Sequence, residues 1–518
     1  MKRKDINDLL GSDMAQRDPR FLEYCIYRHD YLDELNHAGD GLLILNAPRG
    51  SGKSGLFIQL KEQLSARHGL CVISKSSGNV EYPDQALKIP ACVNFWKNQL
   101  LGWIFSEIGS RTKFAFTEAE INAVSYSESI GTKEKNTIST ILDRLRFKGM
   151  PFEKTLVDPI VREEEIIRLL ANKDCQYWLI LDELDDNYDN TPRTNTLLAG
   201  LLLAAQAITE HIPNVRIRVT IRPHIMRILE TGFDKIPTLR ESQISVRWTS
   251  QELKSLLARR IESYVSRKSI PAEGISLLHD EVSSDHWDQE DILISFFFDN
   301  LDASFRDLGR KKPWIHQTLS TISMYRPRWF VEFCKLCLAQ AEKGRVTERS
   351  ARLALFDFGK NRIAFLEAEH SPVISNVAQI LNQFAANRKT NLGDTNQLRD
   401  FIKHEIIHTR IVASDESGID RKALEIARFL HMIDFIQARE TLSRGAYKHH
   451  YFFDRPQILS SWDTNQGIKW IIHPSFSNAL DLDENRVYRA GDDLRVAKPK
   501  HQQTKVKGRR NRKQAGRK

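Results

Sequence analysis

The sequence predicts an α/β fold built on a parallel sheet, followed by a helical lid and then a mostly helical C-terminal domain. Three observations predict it. A strand-length apolar run, GLLILN from Gly41, passes through the glycine-rich octapeptide APRGSGKS into the helical pattern GLFIQLKEQLSARHG. A second continuous apolar run, Tyr177 to Leu181, ends in the acidic pair Asp182-Glu183. Between and after them, strand-length runs alternate with helical patterns, the order that a parallel sheet with crossover helices requires.

The elements follow in order. LCVISKS at 70–76 reads as a second strand and PACVNFWKNQLLGWIFSEIG as an amphipathic helix. After the third strand, 177–181, TNTLLAGLLLAAQAITEHI is apolar nearly all round and so reads as a buried helix. VRIRVTI at 215–221 and SQISVRW at 242–248 read as strands four and five. Residues 110–160 interrupt the alternation as an inserted helical or partly mobile segment. The core is therefore expected over 1–248, the lid over 249–345 with QELKSLLARRIE as its first helix, and the C-terminal domain over 350–485. In that last domain, Ile426, Leu430 and Ile433 fall on one helical face with Asp420 as N-cap. GAYKHHYFFDRP and IKWIIHPSF follow as β-rich runs, a pattern that would serve either phosphate contacts by Arg439, Arg444, Lys448, His449 and His450 or a protein-docking domain.

Composition excludes several classes. With 518 residues, 41% hydrophobic, 28% charged and a mean hydropathy of −0.43, the chain balances as a multidomain globular protein. The longest apolar stretch, Leu197 to Ala205, falls short of the roughly 20 residues that span a bilayer. The basic N-terminus is not followed by an apolar signal core, so no membrane partner and a cytoplasmic location are expected. The net charge is +9, but Arg495 to Lys518 holds eleven Lys or Arg and no acid, so removing it leaves −2. Residues 495–518 are expected to be disordered, and either bind nucleic-acid phosphates or stay simply solvated. Six scattered cysteines argue for a reducing compartment, and Cys334 and Cys337 lack the second pair that a zinc site needs.

The octapeptide carries the chemistry. Gly50 and Gly52 let the backbone curl so that successive N–H groups point at a phosphate, and the following helix adds its positive end. The loop Ala47, Pro48, Arg49, Gly50, Ser51, Gly52, Lys53 and Ser54 is a Walker A arrangement with Ala47 in place of the first glycine. Lys53 is expected on the β- and γ-phosphates and the Ser54 hydroxyl on Mg²⁺. Asp182 would complete the metal shell, and Glu183 would polarise the attacking water.

APRGSGKS, LILDELDD, VTIRP, LRESQISVRWTSQELKSLLARRIE and YRPRWFVEFCKLCL together resemble AAA+/STAND-type P-loop ATPases. The likeness is to the origin-recognition-like branch and to bacterial ATPases of defence and mobile loci, over roughly residues 15–345. It implies ATP as the nucleotide, Mg²⁺ as its ion, and a winged-helix C-terminal domain. It also implies a sensor at Arg222 with Thr220 behind it, a finger at Arg240 reaching a neighbouring subunit, and a lid arginine at Arg328. The alternatives are that Arg222 caps the next helix or makes an ion pair, and that Arg240 is a solvated surface residue. The expected function is a Mg²⁺-dependent ATPase switch controlling an effector protein or nucleic acid, with homo-oligomerisation. The alternative is a non-hydrolysing ATP-bound scaffold or DNA-binding adaptor for a separate nuclease or transposase.

Overall fold

The computed structural model describes residues 1–24, 30–83, 88–112, 118–133, 166, 169, 175–268, 289–298, 315–374, 376–387, 391–413, 418–441, 447–452, 455–462 and 467–482. They fall into two compact units, Met1–Asn382 and Gln383–Lys518. Most of the 110–160 insertion, Arg444 and the 495–518 tail lie outside the described residues.

The first unit is built from α1 (Arg3–Leu10), β1 (Leu42–Asn46), α2 (Lys53–Ser65), β2 (Leu70–Lys75), α3 (Ile89–Arg111), β3 (Gln176–Leu181) and α4 (Pro192–His211). It continues with β4 (Val215–Ile221), α5 (Pro223–Gly232), β5 (Gln243–Ser245), α6 (Ser250–Arg267), α7 (Pro327–Ala339) and α8 (Glu348–His370). The strands pair in the order β2-β3-β4-β1-β5, all parallel. Successive side chains of a strand face opposite sides, and the core follows that alternation. Leu42 and Ile44 of β1 pack with α3 and α4, whereas Leu43 and Leu45 pack with α2. Both faces are covered, which is why β1 and β3 read as nearly unbroken apolar runs.

Arg218 is the exception inside β4. It is fully buried, and its guanidinium donates to the carbonyls of Leu35, His37, Asp40 and Gly41 while stacking on Trp178 at 4.7 Å. It pins the segment entering β1 to the neighbouring strand. β5 spans only 243–245 of the expected 242–248, because it is an edge strand with β1 as its sole partner.

α8 belongs with the first unit, packing on α7 through Phe333–Phe358 and Trp329–Phe365 ring contacts. The boundary between the units therefore comes later than the expected break at 345–350. The second unit holds a four-stranded antiparallel sheet ordered β6-β9-β7-β8, from β6 (Asn391–Gly393), β7 (Ile436–Thr441), β8 (Tyr447–His450) and β9 (Ile468–Ile472). Against it lie α9 (Thr395–Ile402) and α10 (Ile419–Met432), giving the helix-then-hairpin order read from the sequence. The cap of α10 is Gly418, and Asp420 sits inside the first turn, paired with Lys403 at 2.6 Å.

Candidate functional site: a phosphate loop under a helical lid

The loop Ala47–Gly52 joins the C-terminal end of β1 to α2 in the middle of the sheet, where parallel strands leave a crevice. Gly50 and Gly52 both take left-handed backbone, with φ +84 and +86. Two tryptophans press on that turn. A Cβ on Gly50 would lie 3.1 Å from the indole nitrogen of Trp329, and one on Gly52 would lie 3.2 Å from Trp248. Trp248 Nε1–H also donates to the Ser51 carbonyl at 2.8 Å, so the loop is braced from the segment after β5.

Lys53 Nζ donates to the Ala47 and Pro48 carbonyls at 2.7 and 3.2 Å. An ammonium has three N–H bonds, so one remains for a ligand. Burial lowers its pKa, opposed by the charges of Asp185, Asp182 and Glu369. Arg49 lies over the Phe365 ring at 5.3 Å. The loop and the acidic pair line one cavity, with Gly50, Lys53 and Ser54 on one side and Asp182 and Glu183 on the other.

Asp182 is held from one side. Its Oδ1 accepts the Thr220 hydroxyl at 2.8 Å and the Glu183 N–H at 3.0 Å, while Oδ2 accepts no hydrogen bond among the described residues. The Ser54 hydroxyl likewise has no hydrogen bond among them. One free carboxylate oxygen and one hydroxyl on a shared cavity are hard oxygen donors, so Ser54 and Asp182 fit Mg²⁺. Glu183 sits at φ +58, a strained conformation for a residue with a Cβ, and of a kind that clusters at functional sites. Burial and the charges of Asp182 and Asp186 raise its pKa.

Arg222 departs from the sensor expectation. It is the N-cap residue of α5, 7% exposed, and its Nε donates to Asp185 Oδ2 at 3.0 Å. It also donates to the Asp185 carbonyl and faces Asp186 at 3.6 Å. The group that touches Asp182 is Thr220, although Arg222 also reaches the cavity wall.

Arg328 lies at the start of α7, and its backbone N–H donates to the Gly50 carbonyl at 3.2 Å. Its guanidinium pairs with Asp13 at 3.3 Å on the cavity wall. Two consecutive left-handed residues, Met324 and Tyr325, turn the chain sharply before this helix. Arg326 is buried over Trp329 at 4.0 Å. Arg240 is far more open, 71% exposed at its side chain, with Glu230 at 3.7 Å.

One wall was missed in the sequence. Asp13, Met14, Ala15, Gln16, Phe21 and Tyr24 line the same cavity. Gln16 Nε2 donates to Glu183 Oε1 at 3.1 Å. The segment is tied to the lid by Asp18, whose carboxylate accepts the Tyr24 hydroxyl and pairs with Arg260 of α6 at 3.6 Å. Only its apolar residues gave a sequence signal, and they are too few to show periodicity.

In the second unit, Lys448 is exposed, but His449 and His450 are 8% and 3% exposed. His450 Nε2 faces Glu440 at 2.7 Å, so these histidines are not surface phosphate contacts. Cys334 and Cys337 are fully buried on α7 and pack in the core as expected. Among the described residues, no helix is long and apolar enough to cross a membrane.

No protein-family model matches the chain, and no curated protein matches it. Among solved structures it is similar to the ORC2 protein of Aeropyrum pernix in ADPNP–ADP complexes. That structure is 13% identical, with 90% of this chain and 96% of that one covered, at a TM-score of 0.42. Cdc6p of Pyrobaculum aerophilum is 10% identical, covering 92% and 99%, at 0.30. Drosophila ORC bound to DNA is 10% identical, covering 92% and 90%, at 0.28. At these identities and scores, the similarities assign no role to any residue of the site.

Proposed function

We propose that the chain is a Mg²⁺-dependent ATPase whose nucleotide state sets how lid and core close on each other, and through them controls a partner. The observation that carries this reading is the shared cavity of Lys53, Ser54, Asp182 and Glu183, roofed by the first turn of α7. In this reading Lys53 and the loop N–H groups hold the phosphates, and Ser54 and Asp182 hold the ion. Mg²⁺ supplies charge neutralisation on the phosphate oxygens. Glu183 holds the attacking water, Thr220 fixes the carboxylate of Asp182, and Arg328 carries the state of the site to the lid. The partner is an effector protein or nucleic acid, the latter through the C-terminal unit and the 495–518 tail, in a defence or mobile-element setting. That part rests on the motif resemblance alone.

One observation favours the second reading, an ATP-bound scaffold or adaptor. The Gln16 amide donates to one carboxylate oxygen of Glu183, so the base shares its acceptor capacity with the chain itself. Phosphate release and fluorescent-nucleotide binding by wild type, Glu183→Gln and Lys53→Ala separate the two. Loss of at least about a hundredfold in turnover with binding retained in Glu183→Gln supports hydrolysis. Equal, negligible turnover in wild type and Glu183→Gln supports the scaffold, and undiminished binding by Lys53→Ala removes the nucleotide site itself.

A further inference from the structure

Outside the residues that line the cavity, three metal-ligating side chains converge. His224 lies in the first turn of α5, and Glu369 and His370 are the last two residues of α8. One ligand atom from each lies within 4.8 Å of the other two, and among the described residues this is the sole His/Cys/Asp/Glu grouping of that kind. We propose that His224, Glu369 and His370 bind a divalent transition-metal ion of the zinc class, which staples the end of α8 to the start of α5.

The state of the donors supports this. His224 and His370 are 6% and 5% exposed, with ring centroids 4.8 Å apart. Burial pushes both imidazoles below their usual pKa, His224 furthest, opposed at His370 by the charge of Glu369. The Glu369 side chain is 5% exposed and accepts no hydrogen bond among the described residues, with His370 Nε2 3.9 Å away. A carboxylate drawn this far out of water favours a cation beside it. Lys53 feels the charge of Glu369 but donates instead to its own loop carbonyls.

Two nitrogens and one carboxylate oxygen select zinc-like ions over Mg²⁺ or Ca²⁺, which prefer all-oxygen shells. Tetrahedral zinc needs ligand atoms about 3.3 Å apart, so the groups close by roughly 1.5 Å, within the reach of side-chain rotation. Three protein donors leave a fourth position for water. The position also has a consequence. His224 follows Arg222 by two residues, so an ion there would fix the helix that carries the Asp185 pair and would neutralise the Glu369 charge acting on Lys53.

The test uses the full chain after chelator treatment, titrated with Co²⁺ and then Zn²⁺ without nucleotide, so that it does not depend on the ATPase reading. Wild type is expected to take up about one equivalent of Co²⁺ with a visible d–d band that Zn²⁺ removes. His224→Ala and His370→Ala are expected to bind at least about tenfold more weakly. Glu369→Gln keeps the side-chain shape and serves if the alanine variants misfold; it is expected to weaken binding comparably. No saturable uptake by wild type, or uptake unchanged in the variants, overturns the site.

Discussion

The Thr220 hydroxyl donates to Asp182 Oδ1 across 2.8 Å, joining the ends of two neighbouring strands, β4 and β3, at the cavity floor. That bond occupies one carboxylate oxygen and leaves the other without a hydrogen bond among the described residues. Thr220→Val keeps the shape of the side chain and removes the donor. It is expected to lower ATP turnover by about tenfold or more, with a weaker apparent affinity for Mg²⁺ and little change in nucleotide binding measured without metal. Turnover equal to wild type at limiting Mg²⁺ would show that Asp182 does not need this partner.

The two tryptophans make the loop sensitive to volume. Gly52→Ala places a methyl 3.2 Å from Trp248 and 3.5 Å from Pro327, and forces a Cβ into φ +86. The left-handed conformation alone costs about 1–2 kcal/mol. The variant is expected to lose nucleotide affinity while melting within a few degrees of wild type. Trp248→Phe removes the bond to the Ser51 carbonyl and is expected to weaken binding by about threefold to tenfold, the worth of one such bond. Fluorescent-nucleotide titration and thermal melts check both.

Arg222 and Asp185 separate a structural role from a sensing role. Breaking a buried pair by removing one partner costs about 3–5 kcal/mol, because the other charge is left buried. Arg222→Met is therefore expected to depress the melting temperature strongly, before any effect on turnover is considered. A variant that melts like wild type but does not hydrolyse would return Arg222 to the sensor role and take it from Thr220.

These three cases show where the sequence was legible. The strands, the loop and the acidic pair are local patterns, and continuous apolar runs ending in chemistry survive in one dimension. Thr220 and Arg222 were both visible at the end of β4, but their partners lie 38 and 37 residues back, respectively, and spacing does not say which side chain turns to which acid. The wall formed by Asp13 to Gln16 was not legible, because Gln16 meets Glu183 across 167 positions. The same holds for α8, whose place beside α7 depends on rings such as Phe358 and Phe365 finding partners in space.

Asp8 links α1 to the lid helix α6 through Arg267 at 2.6 Å and Lys268 at 2.9 Å. Hydrogen bonds from those two cations lower its pKa from 3.8 to about 2. A carboxylate whose folded pKa is depressed contributes stability that is present above its unfolded value and is lost as pH falls through the folded one. The stability difference between wild type and Asp8→Asn is therefore expected to be steady above about pH 4 and to shrink toward zero near about pH 2. Because the group is partly exposed, the difference should stay below about 1 kcal/mol and fall with added salt. Denaturant melts across that range, at two salt concentrations, read it.

Arg240 tests whether the site is complete in one chain. It sits just before the edge strand β5 and is 71% exposed, so the fold leaves it able to reach another molecule. Its contact with Glu230 at 3.7 Å is a surface pair, worth little and easily exchanged. If it completes the cavity of a second copy, specific activity should rise with protein concentration in wild type. Arg240→Ala should then hold a low, concentration-independent turnover with unchanged nucleotide affinity, since the arginine acts on charge that develops during transfer. Mixing Arg240→Ala with Lys53→Ala gives the decisive arm. The first supplies intact loops and the second supplies intact arginines, so activity should return in the mixture above that of either alone. A wild-type rate per molecule that is flat with concentration and matched by Arg240→Ala would leave the arginine as solvated surface and the cavity as the work of a single chain.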